Sequence, residues 1–334
     1  VEGYMTPKFH GKGTLDLTEK MAPYMDQIVS GKRGEIESDG RIWGVPWDVP
    51  PAALLYRSDF FEEAGITTIP KTWEEFVTEV GPKVMKGGDR YLFGMDPNVA
   101  ITFYWYRPLL YQIGSGYFDK DGNVILGDDK SVKVLQWMYD AINKHKVAMT
   151  GIEYFEGPSW FSALKDGKIA TIFGAPWMIG MMKSETPELA GKWRVAPLPV
   201  FEDDDPTTTV LGGASVIIPE QTKYPELAWK YVEHTLLTVE GNLKIYKEAG
   251  IWASYLPTYA DKAFDEPDDY FGGQPVARLF ADVTPTLPVA YYGKNFPTAE
   301  REIVRPHIAK ILTGEESMDE GLKAAVEALK ALGQ

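Results

Sequence analysis

The sequence contains no cysteine. Disulfides, zinc–thiolate centres and cysteine nucleophiles are therefore excluded. Histidine is scarce, with four in 334 residues (His10, His145, His234 and His307) standing far apart. Basic residues are in deficit, 34 against 48 acidic ones, for a net charge of −14. Nucleic acid and anionic membrane surfaces would repel such a chain. No apolar run approaches the length of a membrane-spanning helix. The G-x-S-x-G elbow, the H-E-x-x-H zinc helix and the phosphate-cradling G-x-x-x-x-G-K-[ST] loop are all missing. With 48 acidic residues a glycosidase-like carboxylate pair could always be nominated, but no pattern singles one out.

What the chain has in excess is aromatic surface: 10 Trp, 18 Tyr and 15 Phe. Sugar rings expose patches of C–H groups that pack on indole and phenol faces while polar groups fix the hydroxyls. Most of these rings belong to the core, since aromatics are mostly buried. At 334 residues two lobes are expected, and helix and strand signals alternate, pointing to an α/β architecture.

Helical signals stand in five places. Thr72-Trp73-Glu74-Glu75 is a capping box, followed by Phe76, Val77 and Val80 as a buried face. Val132, Leu135, Met138 and Ile142 predict an amphipathic helix from Ser131. Pro225-Glu226 opens another, with Leu227, Ala228, Tyr231 and Val232 as its expected stripe. Ile303, Val304, Ile308 and Ile311 form a fourth stripe, and Ser317 with Glu320 caps the last helix. Buried strands are expected at Ile169-Ala170-Thr171-Ile172-Phe173, Arg194-Val195-Ala196-Pro197-Leu198 and Ala214-Ser215-Val216-Ile217-Ile218. Asp119-Lys120-Asp121-Gly122-Asn123 imitates a calcium loop, but its glycine falls too early and no closing glutamate follows, so a hairpin turn is the reading. The acidic run Glu202-Asp203-Asp204-Asp205 reads as a surface loop.

Several segments together resemble the solute-binding proteins of carbohydrate ABC importers, the group that includes maltodextrin-binding proteins. Asp39-Gly40-Arg41-Ile42-Trp43-Gly44-Val45-Pro46 resembles that family's "DGKxYGxP" stretch. Tyr56 with Ser58-Asp59-Phe60-Phe61-Glu62-Glu63-Ala64-Gly65 is similar to its "YxxDxFxxAG", and Pro70-Lys71-Thr72-Trp73-Glu74-Glu75 to its "PxTWEE". Lys165-Asp166-Gly167-Lys168-Ile169-Ala170 leading to Gly174-Ala175-Pro176-Trp177 follows, then Trp193-Arg194-Val195-Ala196-Pro197-Leu198-Pro199 and Gly212-Gly213-Ala214-Ser215, in the family's order. Each motif alone is weak; their order and spacing carry the match. Leu15-Asp16-Leu17-Thr18 resembles the "LxDLT" that follows the family's N-terminal strand–helix–strand unit, so the resemblance implies a first lobe that lacks its N-terminal βαβ unit in this sequence, that segment being either absent from it or supplied as another polypeptide.

The resemblance implies a two-lobed α/β fold of the periplasmic-binding-protein type, with strands crossing between the lobes near Val49–Ala52 and Gly212–Ser215. The first lobe is expected at about 1–50 and 214–262 and the second at about 51–213 and 263–334. A sugar, an oligosaccharide for preference, would sit in the cleft. Trp177 is expected as its stacking floor, since a glycine and a proline turn the chain just before it at the end of a buried strand. Trp47 and Asp48 precede the first crossing, where a carboxylate can accept from sugar hydroxyls; both reach the cleft only if the strand kinks at Pro50-Pro51. In Phe103-Tyr104-Trp105-Tyr106 four consecutive rings cannot share one face; Tyr104 is the first choice by its spacing to Pro108 and Trp105 the second. Gly213 would admit close backbone approach, and Trp252 and Tyr255 occupy a loop that in the family faces the cleft. Tyr291 and Tyr292 are weaker candidates. The family's additional stacking tryptophan after Asn295-Phe296-Pro297 has no aromatic counterpart here.

These implications describe a monomeric protein without catalysis, cofactor, metal or nucleic-acid partner. It would be periplasmic or lipid-anchored outside the cytoplasm, closing about a hinge on a mono- or oligosaccharide and docking on ABC permease subunits. Two rivals stand: a glycan-active enzyme, and a binding protein of the same fold for a polyamine, whose charge would suit carboxylates among aromatic rings.

Overall fold

The computed structural model describes residues 1–85, 88–154 and 157–333. Apolar side chains divide into two cores. The smaller gathers Leu17, Met21, Ile28, Ile36, Ile42, Val45, Ile218, Trp229, Val232, Leu236 and Tyr255. The larger takes in Val29, then the chain from Val49 to Leu211, and returns from Trp252 to Leu329. Two separate cores are the physical basis of two lobes, because each buries its own apolar surface.

The strands are short: β1 (Glu37–Ser38), β2 (Arg41–Ile42), β3 (Val45–Pro46), β4 (Ala53–Arg57), β5 (Phe93–Gly94), β6 (Ala148–Met149), β7 (Thr171–Gly174), β8 (Trp193–Ala196) and β9 (Ser215–Val216). β7, β4 and β8 form an antiparallel sheet with β4 central, and β7 is buried along its whole length. The register sets Ala53 opposite Gly174, so the start of β4 lies beside the end of β7. β3 pairs antiparallel with β9 in the smaller lobe.

The lobes are joined by paired main chain. Trp47 N–H donates to Ala214 O at 2.9 Å, Leu211 N–H to Pro50 O at 3.1 Å and Ala52 N–H to Thr209 O at 2.7 Å. A third segment joins them, with Val49 N–H donating to Trp252 O at 3.0 Å and Asp48 bridging Ala253. Buried amides at a crossing need such partners.

The capping box forms as the sequence predicts: Thr72 Oγ1 accepts from Glu75 N–H at 3.2 Å, and Glu75 accepts from Thr72 N–H at 3.2 Å. The helix expected from Ser131 spans Asp129–Tyr139, because Asp128 caps it by accepting from Ser131 N–H at 2.6 Å. Its buried face is Val134, Leu135, Trp137 and Met138, leaving Val132 exposed. Likewise Pro225–Leu236 buries Trp229, Val232 and Leu236, while Leu227 and Tyr231 stay exposed. Both helices carry apolar residues on more than one face, and only the position of the core selects among them. At the Asp119 loop, Phe118 bridges Val124 and the Asp119 carboxylate accepts from the amides of Asp121 and Asn123, a hairpin turn.

Trp105 is part of the larger core. Its ring lies 5.1 Å from that of Phe173 at 25°, and its indole N–H donates to Gly94 O at 3.1 Å. Trp105→Ala is expected to destabilise the fold by about 3–5 kcal/mol in chemical denaturation, the magnitude typical of a truncated core tryptophan.

Candidate functional site

A cavity of about 710 Å³ lies between the two lobes. From the crossings and the segment paired with them come Glu2, Asp48, Gly212, Gly213 and Ala214; from the larger core's side come Tyr4, Asn98, Phe103, Tyr104, Trp177, Leu211 and Arg305.

Its geometry follows from the pairing already described. β7 ends at Gly174, and Pro176 opens the helix Pro176–Glu185, so Trp177 emerges in the first turn, half-buried. Its indole N–H donates to Leu211 O at 3.3 Å, which holds the ring against the second crossing. On the first crossing Asp48 Oδ1 accepts from the Ala214 amide at 2.6 Å. Gly212 and Gly213 have φ of +95° and +102°, values that β-carbon-bearing residues rarely adopt. A Cβ on Gly213 would also come to 3.0 Å of Asp48 O and 2.8 Å of Lys32 Nζ.

Tyr104 and Phe103 sit in a widened helical turn, Thr102–Tyr106, in which Arg107 N–H donates to Thr102 O five residues back. Pro108 favours it: a proline has no N–H for the carbonyl four residues earlier and its ring collides with that carbonyl. Residues 76–80 and 299–304 form the same widened turn, and each likewise precedes a residue–proline pair, Gly81-Pro82 and Arg305-Pro306. Phe103 and Tyr104 stand edge to face at 5.0 Å, with Tyr104 backed by Tyr154 at 4.8 Å. Beneath them the Arg107 guanidinium lies 4.9 Å from the Phe103 ring and 5.3 Å from that of Tyr4. Glu300 anchors this cation at 3.5 Å and accepts from Thr102 at 2.5 Å and Tyr117 at 2.8 Å.

Four residues singled out in the sequence therefore meet in one cavity: Asp48, Tyr104, Trp177 and Gly213. Trp47 is exposed outside it, because neighbouring side chains on the extended crossing point opposite ways and Asp48 takes the inward one. Trp105 faces the core behind Tyr104. Trp252 is buried among Tyr246, Tyr259, Phe264 and Phe280 and donates to Thr284 Oγ1 at 3.0 Å. Tyr255 belongs to the smaller core, its hydroxyl donating to Gln27 at 2.8 Å. Tyr291 and Tyr292 line a different cavity beside His10 and Arg33. Sequence reasoning missed Glu2, Tyr4, Asn98, Leu211 and Arg305. For Arg305 a signal existed: Pro306 inside an otherwise helical stripe marks a widened turn, as Pro108 does beside Tyr104.

Electrostatically the cavity combines two carboxylates with one guanidinium. Burial pushes the Asp48 carboxyl above its usual range, with the Lys32 ammonium opposing. Burial also raises Glu2, and the Asp48 charge adds to it. Arg305 Nε is buried without an acceptor among the described residues. Among the lining residues the polar groups thus include acceptors and a donor, set between flat rings.

Residues 8–237 match the family of bacterial extracellular solute-binding proteins. The chain belongs to that family. Among its relatives, an arabinooligosaccharide-binding protein of Halalkalibacterium halodurans is 24% identical over 322 residues, covering 95% of this chain and 72% of its own length. A lactose-binding protein of Rhizobium radiobacter is 28% identical over 260 residues, 76% of this chain and 60% of its own. The solved galacto-N-biose-/lacto-N-biose I-binding protein of an ABC transporter from Bifidobacterium longum, in complex with lacto-N-biose, superposes with a TM-score of 0.80 at 22% identity, covering 99% of this chain and 81% of that one. That likeness shows a shared two-lobed α/β fold.

The folded-state affinity of Asp48 for its proton exceeds the unfolded one, so the native state binds more protons across that interval and stability rises as pH falls through it. Wild type is therefore expected to gain stability relative to Asp48→Asn between about pH 7 and about pH 4, read from urea denaturation at each pH. A difference that stays constant with pH would contradict the burial of this carboxylate.

Proposed function

We propose that this chain binds a sugar, an oligosaccharide by preference, outside the cytoplasm and delivers it to an ABC importer by hinge closure. The observation that carries the reading is the pairing of aromatic faces (Trp177, Tyr104, Phe103 and Tyr4) with the Asp48 and Glu2 carboxylates in one interlobe cavity. Rings pack on the C–H faces of a pyranose or furanose, and an ionised carboxylate accepting from a hydroxyl contributes about 1.5–3 kcal/mol. The oligosaccharide- and lactose-binding relatives support the same class of solute, and the family supports a location outside the cytoplasm.

In this reading the lobes are about 1–50 with 214–262 and about 51–213 with 263–334. A sugar that touches Asp48 from one side and Trp177 from the other binds the closed state better and shifts the hinge equilibrium towards it. Moving from 1:99 to 99:1 takes about 5.5 kcal/mol of differential affinity, within reach of several hydrogen bonds and two stacks. The closed form then docks on permease subunits, and the chain itself performs no chemistry. A polyamine would find the two carboxylates but would also meet the Arg305 guanidinium, which disfavours it.

A thermal-shift screen over mono- and oligosaccharides, arabino-oligosaccharides and lactose included, is expected to give a stabilising ligand, worth about 2.7 kcal/mol at 100 times its dissociation constant. Trp177→Ala should then weaken that ligand by about 1–3 kcal/mol in calorimetry while leaving the fold intact. Unchanged affinity in the folded variant would remove the stacking role, and turnover of the oligosaccharide would replace transport by catalysis.

A further inference from the structure

The opening segment of the chain is tied to one lobe by its main chain and to the other by a single ring. Ser215 N–H donates to Val1 O at 2.8 Å, and Gly3 N–H donates to Gly213 O at 2.9 Å. Further on, His10 Nε2 lies 3.0 Å from Glu35 O, and Leu15 N–H donates to Ile218 O at 2.9 Å. Gly3 abuts the Glu35 side chain so closely that a Cβ would come to 2.3 Å of its carboxylate. Ile218, and Ile36 next to Glu35, are core residues of the smaller lobe. The backbone of this segment is therefore fixed on the smaller lobe's side.

The side chain of Tyr4 goes the other way. Its half-buried ring packs against the larger core, 6.2 Å from the ring of Phe296 at 53°. The Arg107 guanidinium lies 5.3 Å from its centroid, and Arg301 Nη2 donates to its hydroxyl at 3.3 Å. The seat is firm, because its two main parts have partners of their own. Phe296 is sealed from solvent and stacks on Tyr117 at 5.2 Å and 9°. Arg107 is buried and pairs with Glu300 at 3.5 Å. A cation held near a ring away from water attracts it more strongly than at an exposed site.

We propose that Tyr4 is an interlobe clasp: its ring, carried by the smaller lobe's side, docks on Arg107 and Phe296 of the larger and holds the two halves together before any solute arrives. The inference rests on hinge closure as the mode of action and names a residue that sets its starting point. A solute's apparent affinity falls with the fraction of molecules that are competent to bind it. A clasp that raises the closed fraction therefore tightens binding without a new solute contact. Tyr4 also lines the cavity beside Phe103, and Arg107 lies 4.9 Å from that second ring. One guanidinium thus gathers a ring from each side of the cleft into the same wall.

The test reads the lobes directly, in the whole chain and without sugar. Because the chain has no cysteine, Glu37→Cys and Lys120→Cys place one spin label on each lobe, at exposed positions on either side of a second cavity. Double electron–electron resonance then gives the distribution of their separations. The labelled parent is expected to show a population at the clasped separation. Tyr4→Leu and Tyr4→Gln are each expected to lower the ratio of clasped to open molecules at least about three-fold, the size of one cation–ring contact. Tyr4→Phe keeps the ring and should lie between them and the parent. A residue that only lines the cavity would weaken the solute and leave the solute-free distribution in place. Identical distributions in the parent and in the variants, each folded by circular dichroism, overturn the proposal, as does a solute-free parent with no clasped population. If Tyr4→Leu fails to fold, Tyr4→Gln decides the matter. A sugar screen without a hit, alongside the expected shift, counts against the solute class and leaves the clasp standing.

Discussion

The arrangement depends on the main-chain pairing of residues 47–52 with residues 209–214. Those hydrogen bonds carry the chain between two cores, and they decide what stands beside what. Ala52 is bonded to Thr209, and the β4–β7 register sets Ala53 opposite Gly174, so the helix that follows β7 starts beside the crossing. Trp177 is delivered there by this register. Asp48 is delivered by the same pairing from the other side, its carboxylate closing on the Ala214 amide. Two residues separated by 129 positions in sequence thus face one space without any direct bond between them.

Proline supplies the second constraint. In three helices a residue–proline pair follows a turn widened to a five-residue hydrogen bond. Two of these turns border the cavity. In the turn before Pro108, Phe103 and Tyr104 line the cavity while Trp105 packs against Phe173 in the core. Before Pro306 the widened turn precedes Arg305, whose Nε ends up buried beside the site. The Arg107–Glu300 pair joins the two turns, with Glu300 bonded to Thr102 on one and belonging to the other. The aromatic wall and the guanidinium are accordingly held by one buried ionic link and not by loops free to move.

Some of this was legible in the residues themselves. The order of the motifs from Asp39 to Ser215 pointed to the two-lobed fold, and glycine and proline ahead of Trp177 marked a turn at a strand end. The Thr72 capping box was readable because its two hydrogen bonds close within four residues. Amphipathic stripes were less secure: Leu227, Tyr231 and Val132 have the spacing of a buried face, yet they point to solvent because the core lies on another side of each helix. Trp252 and Tyr255 show the same limit from the opposite direction. Their loop reaches the crossings, but the rings turn into the two cores, where apolar area is removed from water. Glu2 and Tyr4 carry little local pattern, since what makes them site residues is contact with distant segments.

The amino-acid sequence alone determined the chemistry that this protein can offer. With no cysteine, few histidines, an acidic balance and abundant indole and phenol rings, it offers flat faces and acceptors to a polyhydroxylated solute, no thiolate to a metal, and a net charge that repels nucleic acid. It also determined the turns, because glycine and proline act on backbone angles within a few residues. Only the tertiary structure decided which of the many rings and carboxylates share one cavity. Direction is the physical reason: a side chain points to the cleft or the core according to strand register and helix rotation, and both are set by pairings between residues far apart in the chain.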